Sequence, residues 1–221
     1  SSWMRPLSSV APATQVPIIV QARDGALEIQ GARWGLIPPW WQKDTPPALT
    51  FNARSEDAAE KPVWREGLKA TRCLLPALGW YEWNADQLVS GKAGRKGGQP
   101  YFISCPGSEV IAFAGIWAVW TRPGVEPVVS CGLLTRKAAP VIEFIHPRMP
   151  VVLKPGQLAR WLDPAATLDG IAAMISGARE DFASHPVSTR VNNARNDSPD
   201  LLARVSLHTT DPLNFGGSGT R

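Results

Sequence analysis

The stretch Gly79-Trp80-Tyr81-Glu82-Trp83 is aromatic-rich, opens on glycine and reads as a β-strand. Alternation along a strand sends Trp80 and Glu82 to one face and Tyr81 and Trp83 to the other. A carboxylate beside an indole on a half-buried face loses solvation, and its pKa rises. A carboxyl of that kind suits proton transfer near neutral pH. The same residues also fit an edge strand with Glu82 in water, and taken alone they leave the two readings even.

On either side the chain continues to read as β. Gln15 to Ala22 and Leu27 to Ile37 form a strand pair around the turn Arg23-Asp24-Gly25, with glycine at the permissive position. Pro38-Pro39 ends the second strand, and Trp40-Trp41 follow in a loop. Leu49 to Ala53 is a short strand leading into Arg54. Further strands are expected at Arg72 to Leu75, Tyr101 to Ser104, Val110 to Trp117, Val128 to Thr135, Val151 to Leu153 and around Val187. Residues 84–99 read as a Gly/Lys-rich hairpin loop.

Helices are expected to be short. Ser55 can cap a helix start whose acids complement the dipole. Ala138 to Ile145, Leu158 to Leu162, Leu168 to Ile175 and Pro199 to Val205 are the other candidates. The expected fold is α+β, with a mainly antiparallel, barrel-like core and short peripheral helices. We expect residues 1–221 to form a single domain, with 213–221 a flexible tail.

The 221 residues are 44% hydrophobic and 19% charged, enough apolar material for a sizeable core. The 21 prolines argue against long helices, and the ten tryptophans supply flat faces for packing or stacking. A net charge of +4 favours an anionic partner, with nucleic acid first in line. Three cysteines, without a Cys-x-x-Cys pair, argue against a disulfide framework and against structural zinc. With three dispersed histidines there is little to build a metal site from, and no metal or other cofactor is expected. No apolar run reaches membrane-spanning length, and the expected setting is a reducing cytoplasm, nucleoid-associated in a bacterium.

Polar groups in apolar or turn settings mark where chemistry could sit: Asn52-Ala53-Arg54, Glu82, and His146-Pro147-Arg148-Met149-Pro150. An amide, a carboxylate and an imidazole make an acid–base set if the fold gathers them. Singly, each has an ordinary explanation. His146 can be a satisfied loop residue, Arg54 can pair with an acid, and Trp40 and Trp41 can be packing.

Together these segments resemble one family. Val10-Ala11-Pro12, Trp34-Gly35-Leu36-Ile37-Pro38-Pro39-Trp40, Asn52-Ala53-Arg54-Ser55-Glu56, Arg72-Cys73-Leu74-Leu75-Pro76-Ala77, Gly79-Trp80-Tyr81-Glu82-Trp83, His146-Pro147-Arg148-Met149-Pro150 and His185-Pro186-Val187-Ser188 occur in the order of the SOS response-associated peptidase (SRAP) family. The resemblance runs from about residue 9 to about residue 205.

The resemblance implies a sensor of abasic sites in single-stranded DNA, acting in the DNA damage and SOS response; a monomer is expected. It also implies a covalent link made by an N-terminal Cys, whose amine forms a Schiff base with the ring-opened sugar. Its thiol then closes a thiazolidine. Carried over by motif, Glu82 shuttles protons, His146 assists ring opening and imine formation, and Asn52 hydrogen-bonds the linked residue or the sugar. Arg54 and Arg148 grip phosphates, and Trp40, Trp41 and Pro12 stack against or wedge flanking bases. Cys73 falls at a family position read as buried and structural.

One departure matters. The family begins Met-Cys-Gly-Arg, whereas this sequence begins Ser1-Ser2-Trp3-Met4-Arg5 and has no Cys before Cys73. Ser9 and Leu78 also replace a common Asn and a common Asp. The expectation is that the nucleophile-bearing N-terminal segment is missing from this sequence. The alternatives are a relative that binds single-stranded DNA without crosslinking, or a thiol (auto)peptidase using Cys73 or Cys131 with His146.

Overall fold

The computed structural model describes residues 8–90 and 96–207. Among the described residues, ten strands fall into two sheets. The larger contains β1 (Gln15–Gln21), β2 (Leu27–Trp34), β3 (Asn52–Arg54), β4 (Arg72–Ala77), β7 (Ile111–Arg122), β8 (Val125–Lys137) and β9 (Arg148–Pro150). The smaller contains β5 (Trp80–Ser90), β6 (Lys96–Ser104) and β10 (Ala183–Pro186).

In the larger sheet the order is β2-β1-β4-β7-β8-β3, and β9 also pairs with β8. Most pairs are antiparallel. Two parallel contacts interrupt that pattern: Arg33 and Trp34 of β2 meet Ser130 and Cys131 of β8, and β3 runs alongside residues 133–135 of β8. The first of these bends the sheet into a ring.

Alternation divides the apolar residues between the inside and the outside of the ring. Val16, Ile18, Val20, Cys73, Leu75, Phe113, Cys131 and Leu133 share one core, which also takes in Trp80, Tyr101 and Ile103 of the small sheet. Leu74, Ala114, Ile116, Ala53 and Leu134 face the other way. They are covered by α1 (Arg65–Ala70), α2 (Leu158–Leu162) and α3 (Leu168–Ser176). Arg72, only 3% exposed, ties this layer together by donating to the carbonyls of Trp161, Leu68, Lys69 and Asp163. Those oxygens belong to helix ends, where carbonyls lack intrahelical partners.

The small sheet crosses the ring with β5 antiparallel to β6, which places Glu82 opposite Tyr101 and Trp80 opposite Ile103. Gly79 permits the entry into β5: a Cβ there would stand 2.2 Å from the Ile103 carbonyl oxygen. The outer side of this sheet carries a separate cluster of Tyr81, Phe102, Val187, Val191, Leu201 and Leu202.

Several expectations are corrected. The return strand β2 stops at Trp34, not Ile37. Residues 84–99 are largely strand: β5 continues to Ser90 and β6 resumes at Lys96. A bulge after Asn84 makes this possible. The Asn84 side-chain oxygen accepts from the Asp86 and Gln87 amides, and pairing restarts at Leu88 opposite Gly98.

Residues 55–60 form turns, and the first α-helix begins only at Arg65. Within Ala138 to Ile145, residues 140–145 form turns, with Ile142 N–H donating to Ala139 O and Ile145 N–H to Ile142 O. Pro140 removes a donor within it. The strand expected at Val151–Leu153 lies one step earlier, at Arg148–Pro150, with Val152 making an isolated bridge to Phe113. Pro199–Leu202 is a 3-10 turn. The tail assigned to 213–221 lies outside the described residues.

Candidate active site

Glu82 enters the site from β5, on the face that also carries Trp80. Trp80 is 8% exposed and packs edge-on against Phe113 and Phe182. This apolar setting leaves the Glu82 side chain 23% exposed, without a hydrogen bond among the described residues. Burial pushes its pKa up to about 7, and the nearby His146 charge pulls the other way.

His146 sits at the end of the turns that follow β8, with Nδ1 4.0 Å from Glu82 Oε2. The same nitrogen lies 3.1 Å from the Arg148 amide nitrogen and 3.0 Å from the Arg148 carbonyl oxygen. Bare Nδ1 accepts from the amide; protonated Nδ1 donates to the carbonyl. The turn thus serves either tautomer of the ring.

Arg148 begins β9. Its Nη1 and Nη2 form a fork on Glu56 at 3.0 and 2.9 Å, and Nη2 also donates to the Thr135 carbonyl at 2.8 Å. The arginine expected to grip a phosphate is therefore already held by a carboxylate. The Ser55 amide donates to the same Thr135 oxygen, at 2.8 Å. Sequence reading missed Glu56 and Thr135. It assigned the acids after Ser55 to a helix dipole, whereas Glu56 finds an arginine 92 residues away. Its place directly after Asn52-Ala53-Arg54-Ser55 was the only available signal.

Asn52 and Arg54 are exposed on β3, with Ala53 between them buried on the opposite face. They pair in register with Leu133 and Thr135 of β8. Leu133 belongs to the core cluster shared with Trp80 and Tyr101, so Asn52 projects to the side of the sheet that bears Glu82. The contacts join Glu82 to His146 and His146 to Arg148. Asn52 shares their side of the sheet, without a hydrogen bond from its side chain among the described residues.

The aromatic candidates differ from one another. Trp40 is 52% exposed. Trp41 is built into its loop: its indole N–H donates to Thr45 O at 2.8 Å, Lys43 lies over its ring, and its carbonyl accepts from Trp120 Nε1. Pro12 is exposed in a tight turn completed by Ala13 at a φ of 70°.

All three cysteines are buried. Burial raises the Cys73 thiol well above its usual range and pushes Cys131 up to about 12. Neither supplies a thiolate near neutral pH, so the thiol peptidase alternative has no nucleophile among the described residues. No group of three His, Cys, Asp or Glu side chains gathers as metal ligands among the described residues. No helix described is long and apolar enough to cross a membrane.

Comparison with known proteins bears on this arrangement. The SOS response associated peptidase (SRAP) family model matches residues 1–194. The abasic site processing protein YoqW of Bacillus subtilis is 34% identical over 200 residues, covering 89% of this chain and 85% of that one. The abasic site processing protein HMCES of Gallus gallus is 32% identical over 234 residues, covering 92% and 67%. A crystal structure from Bacteroides thetaiotaomicron superposes with a TM-score of 0.73 at 24% identity, over 88% of this chain and 82% of that one, and shows the same fold. A phage-related protein from Bordetella bronchiseptica gives 0.62 at 28% identity, over 81% of each chain. With the family model matching residues 1–194 and a relative 34% identical over 89% of this chain, the chain belongs to the SRAP family.

Proposed function

We infer that this protein processes abasic sites in single-stranded DNA by forming a covalent link to the ring-opened sugar, as part of the response to DNA damage. The observation that carries the reading is Glu82: a carboxyl with its pKa raised to about 7, poorly solvated yet open to the surface and 4.0 Å from an imidazole. Relatives named as abasic site processing proteins and a net charge of +4 support it.

The ring-opened sugar presents an aldehyde. In the family pattern an α-amine attacks it, and the amine proton moves to the oxygen to give a carbinolamine. Half-protonated near neutral pH, Glu82 donates a proton to the departing hydroxyl; water leaves, and the iminium nitrogen returns its proton to the Glu82 carboxylate to give the Schiff base. In that family pattern the amine belongs to an N-terminal Cys, whose thiol adds through sulfur to the imine carbon while its proton ends on nitrogen, closing the thiazolidine. His146 takes up and returns protons beside Glu82.

Asn52 hydrogen-bonds the sugar or the linked residue. Arg54, exposed and without a side-chain partner among the described residues, binds a neighbouring phosphate, and Arg148 presents what remains of its fork. Trp40 stacks on a flanking base, and Trp41 and Pro12 border the same strand.

The test uses protein expressed from the native gene, incubated with an abasic single-stranded oligonucleotide. A protein–DNA band that survives denaturing electrophoresis is expected. Its absence overturns the covalent reading. Because Arg54 and Trp40 need no nucleophile, a purely non-covalent binder is the second reading. It predicts association that vanishes entirely at high salt.

A further inference from the structure

We propose that Glu56 is a positioning residue of this site: by gripping the Arg148 guanidinium it fixes the turn that holds His146 against Glu82. The inference rests on the reading of Glu82 and His146 as the acid–base pair, and adds a residue to which that reading gave no part.

His146 is 44% exposed, and its ring contacts along the turn are to the Arg148 backbone amide and carbonyl, so the placement of Arg148 sets the placement of the imidazole. Arg148 is pinned at its far end. Its Nε is buried and without a hydrogen-bond partner, which leaves the Nη groups to orient the guanidinium. Those groups reach Glu56 Oε1 at 3.0 Å, Glu56 Oε2 at 2.9 Å, the Thr135 carbonyl at 2.8 Å and the Thr135 hydroxyl at 3.2 Å.

A planar fork on a carboxylate fixes direction as well as distance. The Ser55 amide shares the Thr135 carbonyl, so the segment bearing Glu56 is itself tied to β8. The chain of contacts therefore runs from β8 and the turn after β3, through Glu56 and Arg148, to His146. Arg148 also holds the Glu56 carboxyl below its ordinary range, so the clamp stays charged at neutral pH.

Glu82 reports on this clamp. Facing it are His146, from the turn after β8, and Tyr101, from β6, whose hydroxyl donates to Gln87 Oε1 at 2.7 Å. Arg54 on β3 and Arg148 on β9 are cations of the strands that pair with β8. The His146 charge lowers the Glu82 pKa, so an imidazole that drifts away lets that pKa rise.

Two variants break the fork while keeping its charges: Glu56→Asp, which shortens the acid, and Arg148→Lys, which removes the planar donor set. Glu56 is 54% exposed, so its Asp variant retains the fold. The measurement is the pH titration of the Glu82 carboxyl by carbon-13 NMR, alongside crosslinking to an abasic oligonucleotide.

The expected result is a Glu82 midpoint above the wild-type value in both variants, with crosslinking slowed roughly tenfold to a hundredfold, as for a misplaced catalytic group. A purely structural clamp would lower the melting temperature and leave the Glu82 midpoint where it was. That outcome in both variants overturns the proposal. If the midpoint rises but the wild-type protein never links to abasic DNA, the crosslinking reading falls and the positioning role of Glu56 stands.

Discussion

The two faces of β5 are built from the same kinds of residue and treat their polar atoms in opposite ways. On the outer face the Tyr81 hydroxyl donates to Ser8 O at 2.8 Å and Trp83 Nε1 donates to Asn192 Oδ1 at 2.7 Å. His185, its ring tilted against Phe102 on that side, meets the Leu202 carbonyl at 2.8 Å. On the inner face Trp80 Nε1 is buried without a hydrogen-bond partner, and Glu82 has only an imidazole at 4.0 Å. Structural polar groups are normally satisfied. An indole and a carboxyl without hydrogen bonds on one side of a strand, opposite satisfied Tyr81 and Trp83 on the other, are the contrast expected if the inner face does the chemistry and the outer face holds the sheet in place.

The sharpest way to break this contrast is to remove the inner carboxyl. Glu82→Gln should slow crosslink formation on the order of 100-fold or more, the usual worth of a positioned acid–base group, while affinity for intact single-stranded DNA stays the same. Rates from denaturing gels and affinities from fluorescence anisotropy check both halves. Equal losses in the two assays would mean that Glu82 binds DNA and moves no proton.

The same substitution should stabilise the fold at alkaline pH. Folding raises the Glu82 pKa from 4.5 to about 7, so the folded state holds an extra proton between those values. Stability from this group is therefore full below about pH 4.5 and is lost as pH rises through 7. The shift of about 2.5 units between 4.5 and 7 corresponds to on the order of 3 kcal/mol. Urea unfolding at pH 5 and pH 8.5 should show Glu82→Gln gaining on the wild type only at the higher pH.

Much of this contrast was legible beforehand. The alternation Trp80-Tyr81-Glu82-Trp83 fixes which residues share a face once the strand is recognised, and an acid beside an indole points to poor solvation. The strand ladder from Gln15 to Thr135 follows from short apolar runs broken by Pro and Gly.

What escaped depends on pairing at a distance. Gly97 and Gly98 read as loop, yet they complete a hairpin because Asn84 absorbs the bulge and the opposite strand supplies partners. Glu56 looked like a helix-start acid because nothing local announces Arg148, 92 residues on. The Ala138–Ile145 run carries helical spacing, but Pro140 and the short path back to β9 leave room only for turns.

Two smaller changes test whether contact with DNA belongs with the inner face. Trp40→Ala should weaken single-stranded DNA binding by about 1–3 kcal/mol, as loss of one stacking platform does, without altering the melting temperature. Anisotropy and calorimetry together decide it, and an unchanged affinity assigns Trp40 to the surface alone. Trp83→Phe, on the outer face, removes one hydrogen bond and should cost about 1 kcal/mol of stability, with no effect on crosslinking. A crosslinking defect from Trp83→Phe would erase the distinction between the faces.

The most direct test is the titration of the Glu82 carboxyl in the wild-type protein, by carbon-13 NMR with Glu82→Gln to assign the signal. A midpoint near 7 is the result expected of a desolvated acid facing His146. A midpoint near 4.5 would make Glu82 an ordinary solvated surface carboxylate and contradict the account.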